Sequence, residues 1–242
     1  MTDAFIAIAV IVAYLAVVVV LWRVNDVRYD ALVESRDTVV RGIVIPIGLG
    51  AVLLAVATTW LGWWEPALFE DPRSGPAWAL AVPGLFAVAA LLGVSAIDFR
   101  SPRAKLLPVL AVGVVLVGFA EELATRGVLI VGGRDGGWSE AAVFFVSTGF
   151  FALLHGVNAF FGQSWRVTAT QVAVAFLAGT ALYVTRMTTG TLLVCMLLHA
   201  VWDFGSLGTA ATEGEARPVA PLVVLATFLL GLVAAWFVVT GV

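Results

Sequence analysis

Long apolar runs separated by short polar breaks set the pattern of this chain. A helix that crosses a bilayer needs about 20 mostly apolar residues. Runs of about that length recur eight times, at residues 5–22, 42–64, 77–97, 106–131, 141–162, 168–185, 187–204 and 218–239. The pattern predicts an all-α fold, a polytopic membrane helix bundle of eight transmembrane helices. The sixth run, "TATQVAVAFLAGTALYVT", mixes Thr, Gln and small residues, a composition suited to helix–helix contact rather than lipid. The second run ends in Trp60, Trp63 and Trp64, which reads as an interfacial aromatic belt. The break between the sixth and seventh runs is tight and falls around Arg186.

The breaks are read by their composition. Residues 23–41 carry charges of both signs and predict a solvated or interfacial helix. "EPALFEDPRSGP" and "GTAATEGEARP" read as loops. The opening "MTDAF" has neither a basic n-region nor a small-residue cleavage site behind its apolar run, so the first run is predicted to be a retained helix. Lys and Arg concentrate in loops one, three, five and seven: Arg23, Arg28, Arg36, Arg41, Arg100, Arg103, Lys105, Arg166 and Arg217. The other side has Arg73, Arg126, Arg134 and Arg186. By the positive-inside rule the odd loops are cytoplasmic and both termini lie outside a cell membrane crossed many times.

Composition sharpens this picture. The 242 residues are 62% hydrophobic and 12% charged, against roughly half and a quarter in soluble domains. The eight helices share one embedded core, so residues 1–242 are read as a single transmembrane domain. A net charge of −3 with no basic block gives no reason to expect a nucleic-acid partner. Cys195 is the only cysteine, so no internal disulfide can form.

Against this background "GFAEELATRG", residues 118–127, stands out. Glu121, Glu122 and Arg126 interrupt a run that is apolar on both sides. Each charge at a helix centre costs about 2.5–3.5 kcal/mol, so three cost roughly 8–10 kcal/mol. The apolar neighbours offset most of that and leave little surplus. These groups are therefore expected to face protein or a water-filled cavity. Glu122 and Arg126 are four apart and share a helical face, so they are expected to pair. Glu121 points about 100° away, free of that pair, and is expected to face the cavity.

Both histidines of the chain also fall in apolar runs. His155 lies in "FFALLHGVNAF", and His199 lies in "LLVCMLLHAVWDFG" with Asp203 four residues on. A carboxylate beside an imidazole can take a proton from water, and a second imidazole can donate to a developing oxyanion. Two Glu and two His could equally hold a divalent metal, although the spacing is not that of an H-E-x-x-H zinc helix. Chains of Glu and His also build proton relays, which keeps a proton-coupled transporter in view.

These residues carry a resemblance. "EELATR" is similar to the EExxxR motif of the CAAX prenyl protease and bacteriocin-processing family of intramembrane glutamate proteases, the CPBP or ABI family. "FALLH", Phe151 to His155, resembles its FxxxH motif, and "HAVWD", His199 to Asp203, its HxxxN/D motif. The resemblance runs from 106 to 204. It implies an eight-helix, metal-independent endopeptidase with no cofactor, acting on a peptide or protein substrate, with membrane-associated and lipidated substrates among those known for the family. It implies that Glu121 activates water with His155 assisting, that Glu122 braced by Arg126 positions the site, and that His199 with residue 203 stabilises the oxyanion. Prenyl proteases have Asn where Asp203 stands. An ionised Asp cannot donate to an oxyanion, so Asp203 is expected to orient His199. The alternative within the family is an inactive scaffolding or binding member. On the predicted spans, His155 and His199 lie near the ends that meet loops five and seven, whereas Glu121 lies past the middle of its helix. Only a tilted helix would bring the three to one depth.

Overall fold

The computed structural model describes residues 1–72 and 76–241. Eight long apolar helices form the bundle of a multi-pass membrane protein: span 1, Thr2–Val24; span 2, Arg36–Leu61; span 3, Ala77–Ser95; span 4, Pro102–Asp135; span 5, Glu140–Phe161; span 6, Trp165–Thr189; span 7, Leu192–Thr212; and span 8, Ala220–Thr240. The described residues contain no strand, only an isolated bridge between Phe69 and Thr191.

Several boundaries differ from the sequence reading, each for a local reason. Span 6 runs through Arg186 and ends at Gly190, whose φ of 70° reverses the chain. Arg186 is fully buried inside the bundle, not at a turn. Its Nε lies 2.6 Å from Glu70 Oε1, and its guanidinium also donates to the carbonyls of Pro66 and Ala67. A paired cation can stay in a helix that hydropathy alone would break there. Glu70 also holds Arg134, which pairs with Glu140 at the start of span 5. The stretch 65–70 is thereby drawn in, and most of it lies in a short helix, Trp64–Leu68. Arg73 lies outside the described residues.

Residues 23–41 do not form one interfacial helix. A 3-10 turn, Tyr29–Ala31, links span 1 to a Ser35-capped start of span 2, where the Ser35 side chain accepts from Thr38 N–H. "GTAAT" is helical rather than loop, because span 7 continues to Thr212. The aromatic belt reduces to Trp60, which is exposed. Trp63 is packed into the core, and the Trp64 indole donates to Thr59 Oγ1 at 2.8 Å.

Span 7 sits against spans 3 and 4, span 8 covers spans 3 and 6, and span 5 lies on span 6. Span 1 packs on span 2 and on the last turns of span 4. Lipid-like side chains do not drive such contacts within a membrane, so close fit must. At Gly118 a Cβ would stand 2.6 Å from the Met196 carbonyl oxygen and 3.1 Å from Ala200 N. That missing side chain lets the backbones of spans 4 and 7 touch one turn before Glu121. The continuation of span 7 places His199 well inside its helix, where it meets Glu122; His155 and Glu121 line the same cavity.

Replacing Gly118 with Ala forces the two backbones apart. We expect a loss of about 1–3 kcal/mol, typical of overpacking, read as a lower unfolding midpoint in detergent. Gly84→Ala is the control, because open space surrounds that position; equal midpoints for the two variants would refute the close-contact role.

Candidate active site

Span 4 changes pitch at the acidic pair. It is α-helical over Leu107–Glu122 and opens into a π-turn over Leu123–Val128. Such wide turns recur at functional sites. Here the turn carries Arg126 and follows directly on Glu121 and Glu122. The main-chain carbonyl of Glu121 accepts from Thr125 Oγ1 at 2.6 Å.

Within this frame the two carboxylates part company. Glu122 is fully buried. Its Oε1 accepts from Arg126 Nη1 at 2.9 Å, the i,i+4 pair that the spacing predicts. The same oxygen lies 2.9 Å from His199 Nδ1, a contact that the sequence reading did not include. Arg126 Nη1 also donates to Thr125 Oγ1 at 3.0 Å. Glu121 lines the central cavity, and its Oε2 has no hydrogen-bond partner among the described residues.

Arg126 is boxed in. Its guanidinium carbon lies 3.9 Å from the centroid of Phe151, a cation–π contact. Beneath it, a Cβ at Gly179 of span 6 would stand 2.7 Å from Nη2. Nε and Nη2 have no hydrogen-bond partner among the described residues, so the aromatic face and the Glu122 carboxylate carry the charge.

Phe151 is the hub that sequence reasoning missed. Its ring meets His155 edge-on at 5.3 Å and His199 at 5.4 Å, besides facing Arg126. It thus joins span 5 to spans 4 and 7. The signal was present as the first letter of "FALLH", but one aromatic among fifteen Phe does not announce three contacts.

The histidines present different faces. His155 Nδ1 lies 3.0 Å from the Phe151 carbonyl. A carbonyl only accepts, so Nδ1 carries the proton and Nε2 of the neutral ring is an acceptor. His155 lines the cavity beside Glu121. His199 Nδ1 faces Glu122, and its Nε2 lies 3.5 Å from Asp203 Oδ2. The shorter and more buried contact is with Glu122, so Glu122 orients this ring more tightly than Asp203 does. Cys195, one turn away, is buried, and its Sγ lies 3.3 Å from the Leu182 carbonyl.

The cavity has a volume of about 380 Å³. Glu121, His155, His199 and Asp203 line one part; Trp22, Tyr29 and Leu32 line another. Among the described residues no group of three His, Cys, Asp or Glu is arranged to hold a metal ion.

The fold and this constellation define a polytopic membrane protein with a carboxylate–imidazole site inside the bundle. Residues 103–205 match the family model described as Type II CAAX prenyl endopeptidase Rce1-like. That segment contains all six residues of the constellation, it coincides with the stretch on which the motifs resemble the CPBP family, and the match supports a CAAX-type intramembrane endopeptidase in general. No curated protein and no solved structure matches the chain.

Removing one member of a buried ion pair leaves the other uncompensated. Arg126→Met is expected to destabilise the protein by about 3–5 kcal/mol, measured by denaturant unfolding in detergent. The double variant Glu122→Gln/Arg126→Met should recover part of that loss. A double variant no more stable than Arg126→Met would show that pairing is not what Arg126 supplies.

Proposed function

We propose that this protein is an intramembrane endopeptidase in which Glu121 is the general base. The observation that supports the reading is the contrast between the two adjacent carboxylates. Glu122 is held through Oε1 by Arg126 and His199, its Oε2 being buried without a hydrogen-bond partner among the described residues, whereas Glu121 has no such ion pair and lines a cavity that it shares with both histidines. A tied carboxylate is a poor base, and an open one in an apolar setting is a good base once ionised.

In this mechanism a water held between Glu121 and His155 Nε2 loses a proton to Glu121. Its oxygen bonds to the scissile carbonyl carbon, and the carbonyl electrons move to oxygen. His199 Nε2–H donates to that oxyanion, with Nδ1–H anchored on Glu122. Glu121 returns the proton to the departing amine as the C–N bond breaks. Asp203 flanks the His199 ring, with Oδ2 3.5 Å from Nε2. Arg126 and Phe151 position the pair and touch no substrate. No metal and no cofactor takes part in this scheme. Its support is electrostatic: Arg126 already balances Glu122, so the site does not need another cation. The substrate is a peptide or protein within the membrane. Residues 1–242 act as one transmembrane domain with the odd loops cytoplasmic, the orientation that the Arg distribution favours.

Glu121→Gln keeps the shape and removes the basicity. It should abolish cleavage, a loss of at least about 10²-fold, in a protein that remains folded. Substrates are sought by comparing the peptides of membranes that contain the native protein with those that contain Glu121→Gln, and are then assayed in detergent. A strong chelator should leave turnover unchanged. Asp203→Asn should stay near native activity, because an amide can still orient the ring or donate directly. Asp203→Ala should be worse. Should chelation stop turnover and Asn prove as damaging as Ala, Asp203 is a metal ligand and the glutamate–water scheme fails.

A further inference from the structure

Three polar side chains along the cavity have no part in that scheme. Asn158 Nδ2 donates to Gln171 Oε1 at 3.0 Å, and Gln171 Nε2 donates to the Tyr29 hydroxyl at 2.8 Å. They come from the end of span 5, from span 6 and from the turn after span 1, and all three line the cavity. The chain of bonds has a direction, which fixes what is left over. Tyr29 accepts from Gln171, so its own O–H remains to donate. Asn158 uses its amide N–H, so its Oδ1 remains to accept. No described residue takes up either group.

The arrangement is anchored. Residues His155–Phe161 form a 3-10 segment, in which side chains three apart eclipse one another. Asn158 therefore stands directly after His155 on the same face, about 6 Å further along. The Tyr29 turn is braced by the Arg28–Asp30 ion pair at 2.6 Å, and the Tyr29 ring lies 5.9 Å from Trp22. Burial, with the charges of Asp203 and Glu121 adding to it, pushes the Tyr29 phenol up to about 12, so it remains a donor throughout the physiological range.

One donor and one acceptor side by side, with no charge between them, complement the C=O and N–H of a single residue of an extended chain, which point to the same side. We propose that Tyr29 and Asn158, held in register by Gln171, form a binding subsite for the main chain of an extended peptide. Its position, about 6 Å from His155, corresponds to roughly two residues of extended chain at about 3.3 Å each. The subsite grips the substrate about two residues from the scissile bond, on the side toward loops one and five. It reads backbone rather than side chain, so it fixes depth and register without fixing sequence. This inference rests on the endopeptidase reading for its meaning, but binding can be measured without turnover.

The test uses full-length Glu121→Gln protein in detergent and a fluorescein-labelled pool of end-capped decapeptides of random sequence, with affinity read by anisotropy. Added to that parent, Tyr29→Phe and Asn158→Ala should each weaken binding by about three- to tenfold, the effect of one hydrogen bond. Tyr29→Phe should keep the parent's unfolding midpoint. Tyr14→Phe removes another phenol from the same cavity wall and should bind as the parent does. The subsite is refuted if Tyr29→Phe binds within about twofold of the parent, if Tyr14→Phe loses as much, or if the pool does not bind the parent at all. Cleavage of the pool by the native protein is read separately. Binding that depends on Tyr29 without any cleavage would uphold the subsite and sink the endopeptidase reading. Cleavage with binding indifferent to Tyr29 would do the reverse.

Discussion

The three-way contact of Glu122 with Arg126 and His199 is the interaction on which the rest of this site depends. A carboxylate, a guanidinium and an imidazole meet with almost no exposed surface, where each alone would be costly. Neither of the neighbours can move without leaving the carboxylate short. The contact ties span 4 to span 7, and the Arg126 guanidinium, lying on Phe151 and over Gly179, ties span 4 to spans 5 and 6. Four helices are thus referred to one oxygen atom, Glu122 Oε1. The surrounding geometry serves that meeting: Gly118 brings the helices close enough, the π-turn carries Arg126, and Gly179 leaves room for the guanidinium.

From this constraint follows the difference between two residues that are identical in chemistry and adjacent in sequence. Helix geometry turns Glu121 away from the direction that Glu122 takes. Arg126 Nη1 and His199 Nδ1 both turn to Glu122 Oε1, and Glu121 lines the cavity outside that cluster. The proposed base is therefore made by what its neighbour holds, more than by anything that touches Glu121 itself.

Much of this could be read in the sequence, and the limits are physical ones. Eight apolar runs gave eight helices because membrane insertion depends on summed hydropathy, which is local. The Glu122–Arg126 pair was legible because four residues on one helix have a fixed separation. Contacts between helices were not legible. Nothing in the spacing says that Glu122 also meets His199, that Phe151 serves three partners, or that Gly118 marks the approach of spans 4 and 7. Arg186 misled for a related reason. Its partner Glu70 lies more than a hundred positions away, at 116 residues' separation, and without that partner a guanidinium in an apolar run reads as a break. The boundary error at span 7 came from treating "GTAAT" as a loop by composition, when its small residues pack, with Thr212 Oγ1 accepting from Asp98 N–H at 3.1 Å.

The interior of the bundle differs between its two ends. At the end where spans 4 and 6 finish, Glu70, Arg134, Glu140 and Arg186 join in ion pairs and the Tyr183 hydroxyl donates to Glu140. Charge there is spent internally. At the other end, the cavity reaches from Glu121 toward Tyr29, Leu32 and Asn158, and there the linked side chains of Tyr29, Gln171 and Asn158 are neutral and leave one donor and one acceptor over. A peptide chain carries one donor and one acceptor per residue, and entering an apolar bundle strips both of water. It can enter only where unpaired partners are waiting for it. The end closed by saturated ion pairs offers none, whereas the end lined by Tyr29 and Asn158 does. On the endopeptidase reading proposed above, this distribution of polar groups favours a peptide approaching from the side of loops one and five toward Glu121.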